Sequence, residues 1–442
     1  MGANYNAGNP FGKRRRDSAV LQTRDRQAER IAGAQALAYE AVQFSRTPAG
    51  PGLHAPGPRH EAGPVQGAAE ILLVQREAGD ALHQLLQVGQ GEFGRRQLEN
   101  HRAVLDLAAK ARQRRGEDPA VVGGHGLPHA DLRRRFAAVA AAGLTAWKAA
   151  RHERQAEAEW PPSGDFLTVD GHRVHYRVEG EGPDLVLIHG ASGNIRDFTF
   201  DMVGRLKDRF RVIVFDRPGL GYTERIDPRG ASIRQQAELL SRAAAELGAE
   251  RPIVFGHSYG GAVALAWATR HPEAVSGLIL LAAASNPWDT PLSTYYRVLS
   301  SPIGQRLAAP ILTAWVPDHV VTDTIASIFA PQPTPPGYGD YIGAGLALQR
   351  RALRENALQR AGILSEVRQM VSDYAGIDMP VEILHGDADR TVGLSIHSEP
   401  LARQIAGARL VVMAGVGHSP HHADPETVIA AIDRAAARAG LH

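Results

Sequence analysis

The stretch Gly256-His257-Ser258-Tyr259-Gly260 sets one serine hydroxyl between two glycines. It follows Pro252-Ile253-Val254-Phe255, which reads as a buried strand. It precedes Gly261-Ala-Val-Ala-Leu-Ala-Trp-Ala-Thr-Arg270, which reads as a helix. A serine at such a strand-to-helix turn is lifted above the sheet edge, and the first helical N–H groups aim at a carbonyl placed against it. The turn is so tight that the residues two before and two after the serine must be nearly free of side chain. Gly256 and Gly260 meet that demand, and Gly261 lets the helix lie close to the strand. A hydroxyl is a poor nucleophile unless a base takes its proton as it attacks. The base suited to the task is a histidine held in one tautomer by a carboxylate.

Such a constellation runs serine, acid, histidine along this kind of chain. Downstream of Ser258, one loop reads Asp387-Ala388-Asp389-Arg390 and a later one reads Gly415-Val416-Gly417-His418. Both follow apolar runs that read as strands, and open sheets place their chemistry at such C-terminal strand ends. His418 is the expected base. By position alone, Asp387 and Asp389 suit the acid equally. The second donor to an oxyanion is expected from the loop His189-Gly190-Ala191-Ser192-Gly193, with the amide of Ala191 joining that of Tyr259. His189 and His257 are expected to make structural hydrogen bonds. His125 and His129 lack partners at a metal-ligand spacing. His421, His422 and Asp424 also match no metal motif and read as surface residues, so neither metal nor cofactor is expected.

The elements that must position these groups follow from residue 160 onward. Residues 166–178 alternate about Asp170-Gly171, the pattern of a hairpin. Apolar runs at 184–190, 211–216, 252–255, 275–284, 381–386 and 409–415 read as buried strands. They alternate with helical segments at 232–247, after Ser258, and at 425–439. That alternation predicts an α/β fold, a mostly parallel sheet with helices on both faces. The interval from Trp288 to Met379 breaks it. This interval is too long for a connection, helical in pattern, and carries Trp288, Tyr295, Tyr296, Trp315, Phe329, Tyr338 and Tyr341. It reads as a helical lid inserted over the C-terminal edge of the sheet, whose aromatics, Trp315 and Tyr338 among them, wall an apolar pocket; a second small core using the same aromatics is the alternative. The expected organisation is an N-terminal extension over 1–130, a short apolar helix and linker over 131–159, a core over 160–287, the lid over 288–379 and the rest of the core over 380–442.

With a net charge of +2 and no cysteine, the 442-residue chain shows no pull toward nucleic acid and excludes disulfides, thiolate nucleophiles and cysteine metal sites. The total hides an asymmetry: residues 1–150 carry 21 Lys/Arg and 14 Asp/Glu, whereas the remainder carries 28 and 33. Residues 45–65 hold five prolines and read as a disordered linker, and the apolar patches at 71–74, 82–86 and 97–115 read at most as short helices. Arg133-Arg134-Arg135 followed by Phe136–Trp147 has the layout of an N-terminal targeting segment. A functional start near residues 127–135 is therefore expected, with export or membrane-surface association through 133–147. A cytoplasmic protein with a buried or amphipathic helix at this position is the alternative. The run is too short for a full membrane span.

From about residue 160 to the end, the chain resembles the α/β-hydrolase superfamily. Gly256-His-Ser-Tyr-Gly-Gly, His189-Gly190, Asp216-Arg-Pro-Gly-Leu-Gly-Tyr-Thr, His385-Gly-Asp-Ala-Asp-Arg and Gly417-His418 carry the resemblance. The family spacing Gly-x-x-Asp after the late strand implies Asp389, rather than Asp387, as the acid. The lid is similar to that of the epoxide-hydrolase and dehalogenase branch, which uses an aspartate nucleophile where this chain has Ser258. The resemblance implies ester or related acyl hydrolysis of a small or medium acyl substrate by Ser258, His418 and Asp389, not epoxide or halide chemistry. Carbon–carbon bond hydrolases, perhydrolases and acyltransferases share the triad, and a non-catalytic ligand-binding protein on the same fold is the alternative of a different class.

Overall fold

The computed structural model describes residues 129–441. The N-terminal extension, with its linker, short-helix candidates and His125, lies outside the described residues. Helix α1 (His129–Glu159) is one continuous element. It is longer than the expected apolar segment because the alanine-rich run passes without a breaker into Lys148–Glu159. Its second half is pinned: Ala149 and Ala156 are buried, Glu153 pairs with Arg350, and the indole of Trp160 just beyond donates to the Asp340 carbonyl. Residues 133–147 stay mostly exposed, Phe136, Val139 and Trp147 included. Among the described residues, no helix is long and apolar enough to cross a membrane.

The hairpin forms as its alternation dictates, with β1 (Asp165–Val169) antiparallel to β2 (His172–Glu179) about Asp170-Gly171. Six further strands follow: β3 (Asp184–Ile188), β4 (Arg211–Phe215), β5 (Ile253–His257), β6 (Gly277–Leu281), β7 (Val381–Gly386) and β8 (Arg409–Met413). They assemble in the order β1-β2-β4-β3-β5-β6-β7-β8. β2 meets β4 antiparallel, and every pair from β4 to β8 is parallel. Both faces are covered because the strands are apolar on both. Val186, Ile188, Ile213, Phe215 and Val254 join the core beneath α2 (Ile233–Glu246) and α3 (Tyr259–Arg270). Their neighbours Leu185, Leu187, Val212, Val214 and Phe255 point the other way, toward α8 (Pro425–Arg438).

Between β6 and β7 the chain leaves the sheet and runs through helices, chiefly α4 (Pro302–Trp315), α5 (Asp318–Phe329) and α6 (Arg350–Met370); α7 (Ser398–Gln404) follows β7. This helical insertion is tied to the loops at the C-terminal sheet edge. Asn356 accepts from the Ser192 amide and donates to its hydroxyl, Asn194 donates to the Ile342 carbonyl, and Gln332 bridges Gly415 and Gly417.

Candidate active site

Ser258 follows β5 directly and precedes the first residue of α3. It holds φ 55° and ψ −116°, a strained geometry for a residue with a side chain. The surroundings fix it there. Its amide donates to Leu281, and its carbonyl accepts from Gly261 and Ala284. The flanking glycines are required by close backbone approach. A methyl at Gly256 would strike Gly260, one at Gly260 would strike the Ile188 carbonyl, and one at Gly261 would strike Ala283.

His418 arrives from the loop after β8. Its Nε2 lies 3.0 Å from Ser258 Oγ, and its Nδ1 lies 2.7 Å from Asp389 Oδ2. With Nδ1–H donating to the carboxylate, the Nε2 lone pair is left to accept from the serine hydroxyl. The other Asp389 oxygen accepts from the amides of Thr391 (2.7 Å) and Val392 (3.0 Å), so the carboxylate is fixed by the turn that carries it. Burial alone would raise the Asp389 carboxyl. The charge of His418 and hydrogen bonds from His385 and His418 outweigh burial and hold it well below the usual carboxylate range. Asp387 is exposed and instead accepts from the Gly415 amide at 2.6 Å, bracing the loop that leads to His418.

On the other side of Ser258 lies the loop after β3. A methyl on Gly190 would sit 3.3 Å from Ser258 Cβ, so the Gly190-Ala191 peptide runs directly beside the serine. The Gly190 carbonyl accepts from His189 Nδ1 at 2.9 Å and from Arg217 at 3.0 Å. A trans peptide sets its N–H opposite its C=O, so the Ala191 amide faces away from that pair. The Tyr259 amide opens α3 and, like every first-turn N–H, has no acceptor within its own helix. His189 keeps a structural role: its Nε2 accepts from the Arg217 amide, and burial followed by the Arg217 charge lowers its pKa to about 4. His257 Nε2 donates to the His418 carbonyl at 2.9 Å and steadies the histidine loop from behind.

Three residues depart from the sequence reading. His421 and His422 are not surface residues. Both side chains are buried and turn their Nε2 atoms onto Asp197 Oδ1, at 3.4 and 3.0 Å. The Tyr338 hydroxyl donates to the same oxygen at 2.8 Å. Asp197, His421 and His422 bring three potential metal donors within 4.8 Å of one another. As they stand, they form a cradle of donors around a buried carboxylate. Burial lowers the His421 pKa to about 4, whereas the histidines hold Asp197 ionised despite its burial. Trp315, expected in a pocket wall, lies against α1, where its indole donates to Thr145 and Lys148 caps its ring.

Sequence reasoning missed Arg217. It is fully buried, bonded to Gln236, Gln359 and the Gly190 carbonyl, and its guanidinium lies 4.3 Å from the Tyr259 ring centre. The signal was present in Asp216-Arg217-Pro218-Gly219. Asp216 itself accepts from His175, Ile195 and Tyr222 and so ties β2, the β3 loop and its own turn together.

The sequence model of the alpha/beta hydrolase family matches residues 185–431, more than half of the chain, Ser258, Asp389 and His418 included. The chain belongs to the alpha/beta hydrolase family. An uncharacterised protein of Mycobacterium tuberculosis is 27% identical over 295 residues, covering 62% of this chain and 81% of that protein. Haloalkane dehalogenase 2 of the same organism is 28% identical over 206 residues, covering 45% of this chain and 65% of the dehalogenase. Among solved structures, an alpha/beta hydrolase fold protein from Burkholderia ambifaria is 26% identical, with a TM-score of 0.51 over 61% of this chain and 96% of its own. A thermophilic esterase from Thermogutta terrifontis, 23% identical with a TM-score of 0.51 over 62% of this chain and 97% of its own, shares the fold.

Proposed function

We propose that this alpha/beta hydrolase cleaves carboxylic esters of small acyl substrates through an acyl-enzyme on Ser258, without a cofactor. The observation that carries the reading is the continuous relay from Asp389 through His418 to Ser258, at 2.7 and 3.0 Å, with the serine at a strained strand-to-helix turn. As Ser258 Oγ attacks the ester carbonyl, His418 Nε2 takes its proton, and Asp389 stabilises the resulting imidazolium. The amides of Ala191 and Tyr259 hold the oxygen that becomes negative. His418 returns the proton to the departing alcohol. Water, deprotonated by His418, then releases the acid and restores the serine hydroxyl. An aspartate in place of Ser258 would form an alkyl-enzyme ester from a halide, so the serine separates this chain from the chemistry its dehalogenase relative is named for. The helical insertion, anchored to both loops beside Ser258, is the proposed lid that shapes the acyl pocket.

A fluorophosphonate probe tests the reading, because only an activated serine displaces its fluoride. The expected result is one adduct, located on the peptide containing Ser258. Absence of labelling under conditions that label a known serine hydrolase would favour a ligand-binding protein on this fold.

A further inference from the structure

Helix α4 is amphipathic in an unusual sense. Its inward face, with Ala309 and its neighbours, packs on Leu299, Leu353 and Ala357. Its outward face is also apolar. Ile303, Leu307 and Ile311 recur every four residues and are 73%, 62% and 53% exposed, and Trp315 completes the row. Four-residue spacing places them side by side in one stripe. Scattered exposed apolar residues are ordinary, but a contiguous row marks a surface that meets something.

The stripe does not end with α4. Trp315 donates to Thr145 of α1, the Lys148 ammonium sits 3.8 Å above the Trp315 ring, and His152 bonds the Thr313 carbonyl. Helix α1 then adds Trp147, and further along Val139 and Phe136, which are 71% and 66% exposed. From Phe136 to His152 of α1, and along α4, the charge has one sign. Residues 136–152 hold Lys148 and Arg151 and no acid, and α4 holds Arg306 and no acid. Glu153, the next acid on α1, is turned inward onto Arg350. Asp318 and Asp323 belong to the following helix, α5. Apolar side chains bordered by lysine and arginine, with tryptophan where they meet, suit the boundary between lipid headgroups and acyl chains.

We infer that the outer face of α4 and the exposed side of residues 136–151 of α1 form a docking surface for anionic phospholipid bilayers. The apolar row enters the headgroup layer, and Lys148, Arg151 and Arg306 meet lipid phosphates. Neither helix has the length and apolarity to cross, so attachment is interfacial and reversible. This inference stands apart from the chemistry proposed for Ser258.

Vesicle co-sedimentation of the full chain tests it, with phosphatidylcholine alone and with about 30% phosphatidylglycerol added, at low salt and at about 0.5 M NaCl. The wild type should pellet with the anionic vesicles, less so in high salt. The triple substitution Ile303→Ser, Leu307→Ser and Ile311→Ser should weaken partitioning by about tenfold or more while the thermal unfolding curve is retained. Lys148→Glu with Arg151→Glu should remove the preference for anionic lipid. Wild-type protein that pellets no better with vesicles than without them would overturn the inference. So would undiminished binding by both variants, or a triple variant that alters only the oligomeric state, which would mark the face as a contact between copies.

Discussion

The Arg217 guanidinium donates to the Gly190 carbonyl at 3.0 Å, and Gly190 is the residue that abuts Ser258. One rigid peptide therefore links a fully buried cation to the Ala191 amide. The same guanidinium lies over the ring of Tyr259, whose amide is the other proposed oxyanion donor. Burial lowers the Arg217 pKa only to about 10, so it remains charged at neutral pH.

Lysine at this position cannot serve Gln236, Gln359 and Gly190 at once, because it lacks the planar fork. Arg217→Lys should lower kcat for a p-nitrophenyl ester by about tenfold or more, with a smaller change in KM, since a misplaced donor is felt mainly in the transition state. A kcat within about twofold of wild type would show that Arg217 does not position the donors.

Asp389→Asn should reduce kcat by about 10⁴, because an amide neither fixes the His418 tautomer nor stabilises its cation. Asp387→Asn should cost less than about tenfold, because that side chain only braces the Gly415 turn. Steady-state kinetics of the two variants side by side decide the assignment; the reverse ranking would move the acid to Asp387.

Acid should destabilise the fold well before its carboxylates protonate. Burial depresses the pKa values of His189, His397 and His421 to about 4, and that of His257 well below its usual value. In the unfolded chain these groups titrate near 6.5, so between about 6.5 and 4 the unfolded state binds more protons than the folded one. Their stability is fully present above about pH 6.5 and is lost as pH falls toward about 4. Urea midpoints should drop steadily from pH 7 to pH 4.5. A flat profile would mean that these histidines are protonated without unfolding.

The Tyr338 hydroxyl donates to a buried carboxylate, so Tyr338→Phe should cost roughly 1.5–3 kcal/mol of stability. Trp315→Ala, on the α1 side of the insertion, should leave the chain-length preference for p-nitrophenyl esters unchanged. Thermal unfolding and an ester panel read the two effects; a shifted preference in Trp315→Ala would return that residue to the pocket.

Local pattern carried most of the fold into view. The apolar runs that became β3 to β7 are covered on both faces and needed no alternation to be recognised. Ser258 was legible because steric demand at its turn leaves glycine at fixed positions. The choice between Asp387 and Asp389 was not local: two residues on one loop differ only in which way the turn sends them, and family spacing was needed to choose. The burial of His421 and His422 was illegible because their partner, Asp197, lies more than 200 positions earlier in the chain. Arg217 was hidden for a similar reason, since it is satisfied by Gln359 from the insertion and by Gly190 from another loop.

The central claim is that Ser258 is the nucleophile, and Ser258→Ala tests it most directly. Removing one hydroxyl from a turn whose shape is set by backbone contacts should leave the unfolding curve near that of wild type. Hydrolysis of p-nitrophenyl esters should fall by several orders of magnitude, to the residue supplied by oxyanion donors and binding alone. A folded Ser258→Ala protein that turns over esters within about tenfold of wild type would contradict the account.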